Sequence, residues 1–314
     1  MLNIGYACAF SVGPLVHVKG FFMAKNASAF YLYQRKGAYI PRVAAVHDLC
    51  GYGKCSLGVA IPVLSAAGCD VCPVPTSLFS AHTKFPFFYM HDTTSMLPEY
   101  LDAWKKEGID LDAIYSGFLG SAEQVESIKR LYKEYPQALR IVDPVMGDGG
   151  SKYPTYTDAM CEATRGLVDG ADLLTPNLTE ASILTNLPYA GQNISIEDVK
   201  RIANALLELG AKTVVIKGIV RNDGKIRNYV AGHEIKGEEV ASELLPYMIH
   251  GTGDLYASAL LAAVMCGRSL HDAVSFAGNF VVHAMKVTKS QPDFEVRGVS
   301  FESVLGDITS LLNS

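Results

Sequence analysis

The sequence predicts an α/β protein: a doubly wound, mostly parallel sheet flanked by helices, with a small hairpin as a lid. Short apolar or β-branched runs alternate with helical segments, a spacing typical of parallel βαβ units. The 314 residues, 49% hydrophobic and 19% charged, suffice to bury a large core. Polar, glycine-containing turns follow the predicted strands, so we expect them at one edge of the sheet.

Six strands are predicted, each a short run that ends at a polar or glycine-containing turn. They cover residues 42–47, 71–74, 113–116, 139–142, 171–174 and 213–217. The second contains Pro73 and precedes Pro75, so we expect it to be short or to lie at an edge. The sixth is strongly β-branched and is followed by the predicted lid hairpin over 218–237, with a turn at Asn222-Asp223-Gly224.

Helices are predicted between and after the strands, over 56–67, 94–107, from about 121, over 195–209, from 255, over 270–287, and over 301–312. Pro62 should kink the first or mark a late start. Ser121 with Gln124, and Asn177 with Glu180, have the spacing of capping boxes. We see no internal repeat or convincing linker, and therefore assign residues 42–314 to a single domain.

Residues 1–41 are an N-terminal extension of uncertain role. The apolar segment 4–16 lacks a preceding positive charge and is a poor signal peptide. One hypothesis is that translation begins at Met23, so that residues 1–22 are not made. An intact mass of native protein that matched the full-length chain would reject it.

Composition argues against two classes of partner. The net charge is −5 and there is no basic run, whereas nucleic-acid binding requires clustered Lys and Arg. No apolar run reaches the ~20 residues of a membrane span. Seven scattered cysteines are typical of reduced thiols, which favours a cytoplasmic location. Cys69 and Cys72 have CxxC spacing without a second pair, so we assign them a structural role.

The stretch Gly251-Thr252-Gly253-Asp254 is a glycine turn that leads into an apolar helix. Both glycines permit unusual backbone angles and close approach of a ligand. The free N–H groups and the dipole of a helix start favour a phosphate there. Asp254 beside that phosphate suggests a base that deprotonates an attacking hydroxyl. A purely capping Asp254 is an equally good interpretation of this stretch alone.

Other polar turns follow the predicted strands. The segment 51–56 suggests a P-loop, but Asp48 stands where its first glycine belongs and Cys55 where a magnesium-binding Ser or Thr belongs, so we reject it. The loop 76–84 mixes hydroxyls, aromatic rings and His82, which alone is as well explained as a surface residue. Asp143 and Asp148, in a glycine-rich loop, would suit a shared cation or a solvated turn equally.

Four stretches in order resemble the ribokinase superfamily, and within it the vitamin B6 kinases. They are 116–124 (SGFLGSAEQ), 143–147 (DPVMG), 175–180 (TPNLTE) and 251–254 (GTGD). The resemblance runs from about Arg42 to Lys286. It implies a ribokinase-like fold, ATP-dependent phosphorylation of the hydroxymethyl group of pyridoxal, pyridoxamine or pyridoxine, and a homodimer.

The resemblance also implies residue roles. Asp254 would be the base, and the N–H groups of Gly251, Thr252 and Gly253 would stabilise the transferred phosphoryl group. The remaining roles are ATP binding by Asp143, Thr175, Glu180 and Lys217, magnesium binding by Asp143, Asp148 and Glu180, and substrate binding by Asp48, Thr76, His82 and Phe118. ATP, Mg2+ and a monovalent cation, K+, are the implied cofactors, and a pyridine vitamer is the implied small-molecule partner.

Two residues depart from the vitamin B6 pattern. Phe118 stands where those kinases often have Tyr, and Asp48 where they often have Ser. An acidic residue at position 48 is similar to the hydroxymethylpyrimidine kinases of thiamine synthesis. Phosphorylation of a hydroxymethylpyrimidine is therefore an alternative, and a vitamer-binding protein without turnover is a second one.

Overall fold

A computed structural model describes residues 29–313, and it has the predicted α/β architecture. The strands are β1 (Arg42–Cys50), β2 (Asp70–Phe79), β3 (Met90–Asp92), β4 (Ala113–Ser116), β5 (Leu139–Val142), β6 (Gly147–Asp148), β7 (Ser151–Lys152), β8 (Leu173–Leu174), β9 (Thr213–Val220), β10 (Lys225–Gly232) and β11 (Ile235–Glu243). The helices are α1 (Leu57–Ala66), α2 (Leu97–Glu107), α3 (Glu123–Glu134), α4 (Asp158–Arg165), α5 (Leu178–Thr185), α6 (Ile196–Glu208), α7 (Thr252–Met265), α8 (Leu270–Thr288), α9 (Phe294–Arg297) and α10 (Leu305–Ser310).

Within residues 29–313, the main sheet has nine strands in the order β11-β10-β9-β8-β5-β4-β1-β2-β3. The six predicted strands are the parallel ones, from β9 to β2, while β3, β10 and β11 are antiparallel. Strand order reverses between β1 and β4. In open α/β sheets a ligand crevice lies at such a point, beyond the carboxyl ends of the strands.

Helices cover both faces of the sheet and bury two cores. On one face, α1, α7 and α8 pack with α10, and α7 is buried along most of its length after the first turn. On the other face lie α2 to α6. A helix that is apolar on all sides belongs inside a protein, which explains why α7 lies between α1 and α8. Its first turn is therefore firmly positioned at the crevice.

The predicted bounds of the second strand were wrong. β2 is ten residues long rather than four, and its prolines lie where only β1 pairs with it. The carbonyl oxygens of Pro73 and Pro75 accept hydrogen bonds from the hydroxyls of Tyr100 and Thr93. The outer side of this half-strand has no need of a backbone N–H, so proline is tolerated.

The predicted hairpin after β9 forms, but not as a lid. β10 pairs with β9 and with β11, so the hairpin extends the main sheet. The capping box predicted for Ser121 and Gln124 does not form, because no side chain caps α3. Gln124 is instead buried, where it accepts from the Gly120 N–H at 2.8 Å and donates to the Thr76 carbonyl at 2.7 Å.

The described part of the N-terminal extension, residues 29–41, packs on the α7–α8 side. Phe30, Leu32 and Tyr33 contact that core, and the Leu270 N–H donates to the Phe30 carbonyl. The hypothesis about Met23 and residues 1–22 lies outside the described residues. None of the described helices is long and apolar enough to cross a membrane.

Candidate active site

The first turn of α7 lies at the centre of the site. Gly251 precedes the helix with φ 83°, and a β-carbon there would lie 2.4 Å from the Lys54 carbonyl oxygen. Gly253, by contrast, has no positive φ, and a β-carbon there would approach only the Lys217 ammonium, at 3.9 Å. The expectation of unusual backbone angles thus holds for Gly251 alone. No side chain caps this helix, so no side-chain acceptor occupies its first N–H groups.

Asp254 does not cap its own helix, which removes the interpretation of this residue as a helix cap. Its Oδ2 accepts the backbone N–H of Ser56 at 2.9 Å, from the loop after β1. Burial, together with the nearby carboxylates of Asp143 and Asp48, raises the pKa of Asp254 from 3.8 to about 7, although the Ser56 N–H and the Lys217 ammonium lower it. A carboxyl group with a pKa near neutrality is well matched to general-base work at physiological pH.

Ser56 holds an unusual backbone conformation, with φ 50° and ψ −126°. Positive φ is costly for a residue with a β-carbon and is common at functional sites. This conformation directs the Ser56 N–H towards Asp254. Sequence reasoning missed Ser56, because nothing in the run Lys54-Cys55-Ser56-Leu57 signals a strained turn.

A buried ion pair lies beside the glycine turn. The Lys217 ammonium contacts Asp143 Oδ1, which also accepts from the Thr175 hydroxyl at 3.1 Å. Burial lowers the pKa of Lys217, but Asp143 and Glu180 outweigh it and keep the pKa above its usual value. These residues come from β9 and from the turns after β5 and β8, so the parallel topology brings them together. The predicted ATP-binding group therefore converges at the start of α7.

Both oxygens of the Glu180 carboxylate accept backbone N–H groups. Glu180 forms the predicted capping box with Asn177: its Oε2 accepts the Asn177 N–H at 2.8 Å and its Oε1 the Met146 N–H at 3.4 Å. Burial raises its pKa. Asp148 is exposed at the end of β6, where its carboxylate accepts the Gly149 N–H. Neither residue hydrogen-bonds to Asp143.

Of the three carboxylates predicted to bind magnesium, that of Asp143 offers a buried oxygen, Oδ2, with no hydrogen-bond partner among the described residues. A carboxylate oxygen is a preferred ligand for Mg2+, so Asp143 fits this role. Glu180 accepts two N–H groups and Asp148 accepts one, so magnesium binding by these two residues stays a prediction.

The predicted substrate residues lie near the end of β1. Asp48 is buried, and burial raises its pKa, although Ser56 and Cys50 donate to it. Phe118 is partly buried and meets the ring of Phe79 edge-on, with centroids 5.9 Å apart. The Thr76 hydroxyl donates to the Phe118 carbonyl at 2.8 Å. Thr76 thus lies in β2 and positions the Phe118 backbone, rather than presenting a free hydroxyl.

His82 is buried rather than exposed on a loop. Its ring packs between Phe85 and His250, with centroids 4.6 Å from each. Burial lowers the pKa of both histidines, that of His250 to about 4, so the pair is neutral near pH 7. His82 Nε2 is buried without a hydrogen-bond partner among the described residues. The imidazole packs against Gly53, in the loop before Ser56, where a β-carbon would lie 2.1 Å from the His82 ring.

The structure also excludes the P-loop interpretation. The Lys54 ammonium lies 2.7 Å from Glu302 Oε1 and 3.0 Å from the Ser300 hydroxyl, and the Lys54 N–H donates to the Arg297 carbonyl. Lys54 therefore ties its loop to the C-terminal segment and is not directed at a phosphate.

Comparison with known proteins decides the family. The family model described as phosphomethylpyrimidine kinase matches residues 61–297, well over half of the chain. The chain belongs to this family. Pyridoxal kinases are among its relatives and structural neighbours, so the protein is a kinase of the phosphomethylpyrimidine/pyridoxal kinase group within the ribokinase superfamily. The predicted resemblance is confirmed.

Relatives with both substrate classes are similar to this chain. A pyridoxine/pyridoxal/pyridoxamine kinase of Bordetella avium is 32% identical over 259 residues, 79% of this chain and 85% of the relative. A hydroxymethylpyrimidine/phosphomethylpyrimidine kinase of Bacillus subtilis is 31% identical over 200 residues, 62% and 71% of the two chains.

A solved structure shares the fold closely. It is a phosphomethylpyrimidine kinase candidate from Bacteroides thetaiotaomicron, solved with pyridoxal, at TM-score 0.82 and 34% identity over 86% of this chain and 96% of that one. Pyridoxal kinase from Lactobacillus plantarum matches with TM-score 0.81 and 28% identity, over 87% and 98% of the two chains.

Proposed function

We propose that this protein is a vitamin B6 kinase, which transfers the γ-phosphoryl group of ATP to the hydroxymethyl group of pyridoxal, pyridoxamine or pyridoxine. The observation that carries the proposal is the Asp254 carboxylate, fixed by the Ser56 N–H at an uncapped helix start. The Bordetella relative and the Bacteroides structure with pyridoxal support the choice of substrate.

In the proposed step, Asp254 takes the proton of the substrate hydroxyl as its oxygen attacks the γ-phosphorus. A new P–O bond forms, the bond to the bridging oxygen breaks, and ADP leaves. The N–H groups of Gly251, Thr252 and Gly253 stabilise the charge on the transferred group. Lys217, close to Gly253, adds a positive charge at the same place.

Asp143 is the residue that would hold Mg2+ with ATP, through its unpartnered Oδ2. Bound Mg2+ neutralises phosphate charge and orients the phosphates. Thr175 and Lys217 keep Asp143 in place. The requirement for K+ stays a prediction, which activity assays in K+ and Na+ buffers would test.

On the substrate side, Phe118 would stack on the pyridine ring and Asp48 would contact a ring nitrogen or substituent. Asp48 is buried, and although Ser56 and Cys50 donate to its carboxylate, the two oxygens can accept further hydrogen bonds from a substrate. The same residue favours the alternative, a hydroxymethylpyrimidine kinase, because an acidic side chain accepts hydrogen bonds from an aminopyrimidine. The Bacillus relative supports that alternative.

One substrate panel separates these functions. Purified protein with MgATP is assayed for ADP production with pyridoxal, pyridoxamine, pyridoxine and hydroxymethylpyrimidine. We expect the highest kcat/KM with a B6 vitamer. Faster turnover of the pyrimidine than of every vitamer would reject the B6 assignment. Tight vitamer binding without any ADP production would instead support a binding protein without turnover.

The homodimer and the cytoplasmic location also remain proposals. Light scattering of purified protein would test the first, because a dimer doubles the scattering mass. Fractionation of native cells would test the second.

A further inference from the structure

Three potential metal ligands converge beneath the loop between β1 and α1. The Cys55 and Cys50 sulfurs lie 3.2 Å apart, and the Cys50 sulfur lies 3.3 Å from Asp48 Oδ2. The three ligand atoms lie within 4.8 Å of one another, and all three residues are buried. The proposed phosphoryl transfer uses neither thiol.

The sulfur–sulfur distance distinguishes two possible chemistries. A disulfide requires about 2.0 Å, so the sulfurs would have to approach by more than about 1 Å. A tetrahedral ion with bonds of about 2.3 Å would hold two sulfurs roughly 3.8 Å apart, which requires them to separate by only about half an ångström. The observed geometry is therefore closer to that of a pair of metal ligands.

The ligand set selects the class of ion. Two thiolates with one carboxylate favour Zn2+ or Cd2+ over Mg2+, which prefers oxygen ligands only. We propose that Asp48, Cys50 and Cys55 form a binding site for a single thiophilic divalent cation, separate from the magnesium–ATP site. On binding, each thiol releases its proton to solvent, the carboxylate supplies an oxygen ligand, and water completes four-coordination.

The position of this site implies that a bound ion would inhibit the proposed kinase reaction. The two cysteines pack with Phe79 and against Phe118, the ring proposed to stack on the substrate, and Asp48 is a proposed substrate contact. Cys55 also directly precedes Ser56, which holds Asp254. An ion bound there should therefore compete with the vitamer. This consequence rests on the proposed function, whereas the metal site itself does not.

The metal site is tested with Cd2+ on the full, reduced chain without nucleotide. We expect one tightly bound Cd2+ per chain, ultraviolet absorption from thiolate-to-metal charge transfer, and two sulfur ligands by X-ray absorption at the cadmium edge. No absorption, or fewer than two sulfur ligands, would overturn the site. This measurement uses the native sequence and so does not depend on the folding of a variant.

Cysteine variants then locate the site. Even outer-shell changes weaken metal affinity by about 10–100-fold, so Cys50→Ser and Cys55→Ser should each bind Cd2+ at least about tenfold more weakly. Cys161→Ser is the matched control, because Cys161 is also a buried free thiol but lies on α4. Full binding by the Cys50→Ser, Cys55→Ser double variant would place the ion elsewhere.

Competition tests the inhibitory consequence. Pyridoxine is the probe, because it lacks the aldehyde that reacts with thiols. Excess pyridoxine should weaken the apparent Cd2+ affinity of the native chain. If the protein phosphorylates pyridoxine but its Cd2+ affinity does not change when pyridoxine is added, competition between the ion and the vitamer is rejected. Cd2+ binding without turnover of any vitamer would instead reject the proposed function and leave the metal site intact.

Discussion

The backbone N–H of Ser56 donates to Asp254 Oδ2 at 2.9 Å, across 198 positions of sequence. This bond joins the loop after β1 to the first turn of α7. It fixes the carboxylate without consuming the N–H groups of the helix start, which remain available to a phosphate. The strained conformation of Ser56 is the structural cost of this arrangement.

Two substitutions at Ser56 measure that strain. Ser56→Ala keeps the β-carbon at φ 50°, whereas Ser56→Gly removes it, and both lose the hydroxyl that donates to Asp48. We expect the glycine variant to be more stable than the alanine variant by about 1–3 kcal/mol in urea unfolding. Both retain the backbone N–H, so both should retain activity. An alanine variant as stable as the glycine variant would show that Ser56 is unstrained.

The two glycines of the turn should respond differently to alanine. In Gly251→Ala the new β-carbon would meet the Lys54 carbonyl at a positive φ, so the variant should be destabilised. In Gly253→Ala the new β-carbon would have only the Lys217 ammonium within 4 Å, at 3.9 Å, and alanine has the higher helix propensity. We therefore expect Gly253→Ala to keep its stability but to lose kcat, because the methyl group occupies the proposed phosphoryl position.

A stable but slow Gly253→Ala variant would support this placement of the phosphoryl group. Equal kcat in Gly253→Ala and in the native protein would contradict it. Thermal unfolding and steady-state assays on the same preparations supply both measurements.

Loss of Lys217 should destabilise the protein strongly, because it leaves Asp143 buried and unpaired. Breaking a buried pair costs about 3–5 kcal/mol, and Lys217→Met should fall in that range in urea unfolding. Asp143→Asn in the same chain should recover part of the loss. The exposed pair of Lys212 with Asp172 is the control, since Lys212→Met should cost at most about 1 kcal/mol. Equal losses for the two lysines would contradict a buried pair.

The raised pKa of Asp254 predicts a pH-dependent penalty. Below its ordinary pKa of 3.8 the carboxyl is protonated in both states, and no penalty exists. As pH rises towards about 7, the unfolded chain ionises first and the folded state loses stability. Asp254→Asn cannot ionise, so its stability relative to the native protein should rise through this window.

Urea unfolding at about pH 5 and about pH 8 checks that penalty. Asp272→Asn is the matched control: Asp272 holds the same third helical position in α8, where it interacts with the capping Ser269. A gain for Asp254→Asn that is independent of pH would contradict the raised pKa. In the native enzyme, kcat/KM should rise with pH through the same region.

Much of the fold could be predicted because local patterns decide it. The six parallel strands are short apolar or β-branched runs, and Asn177 with Glu180 forms its capping box within a single turn of chain. Ser121 and Gln124 have the same spacing, yet Gln124 turns to the backbone of β2, a partner that sequence spacing does not reveal. The hairpin after β9 was recognised, but its docking as two further strands depends on the open edge of β9.

The site was predictable only in part, for the same reason. The motifs contain Asp254, Asp143 and Thr175, and the sixth predicted strand contains Lys217; the parallel topology then brings these residues together. The role of Ser56 depends on its backbone conformation, and the contact between Cys50 and Cys55 depends on the path of a loop. Neither the backbone conformation nor the loop path can be recognised from the types of the residues in the sequence. Thr76 and His82 were expected in a loop, whereas Thr76 lies in β2 and His82 is buried, because β2 is longer than its sequence pattern indicates.

The central claim, that Asp254 is the base, is tested most directly by the turnover of Asp254→Asn with MgATP and its best vitamer, beside Asp272→Asn. Removal of a general base costs about 10²–10⁴ in rate. We expect Asp254→Asn to lose kcat on that scale with little change in vitamer affinity, and Asp272→Asn to keep the native rate. An unaltered kcat in a folded Asp254→Asn variant would contradict the account.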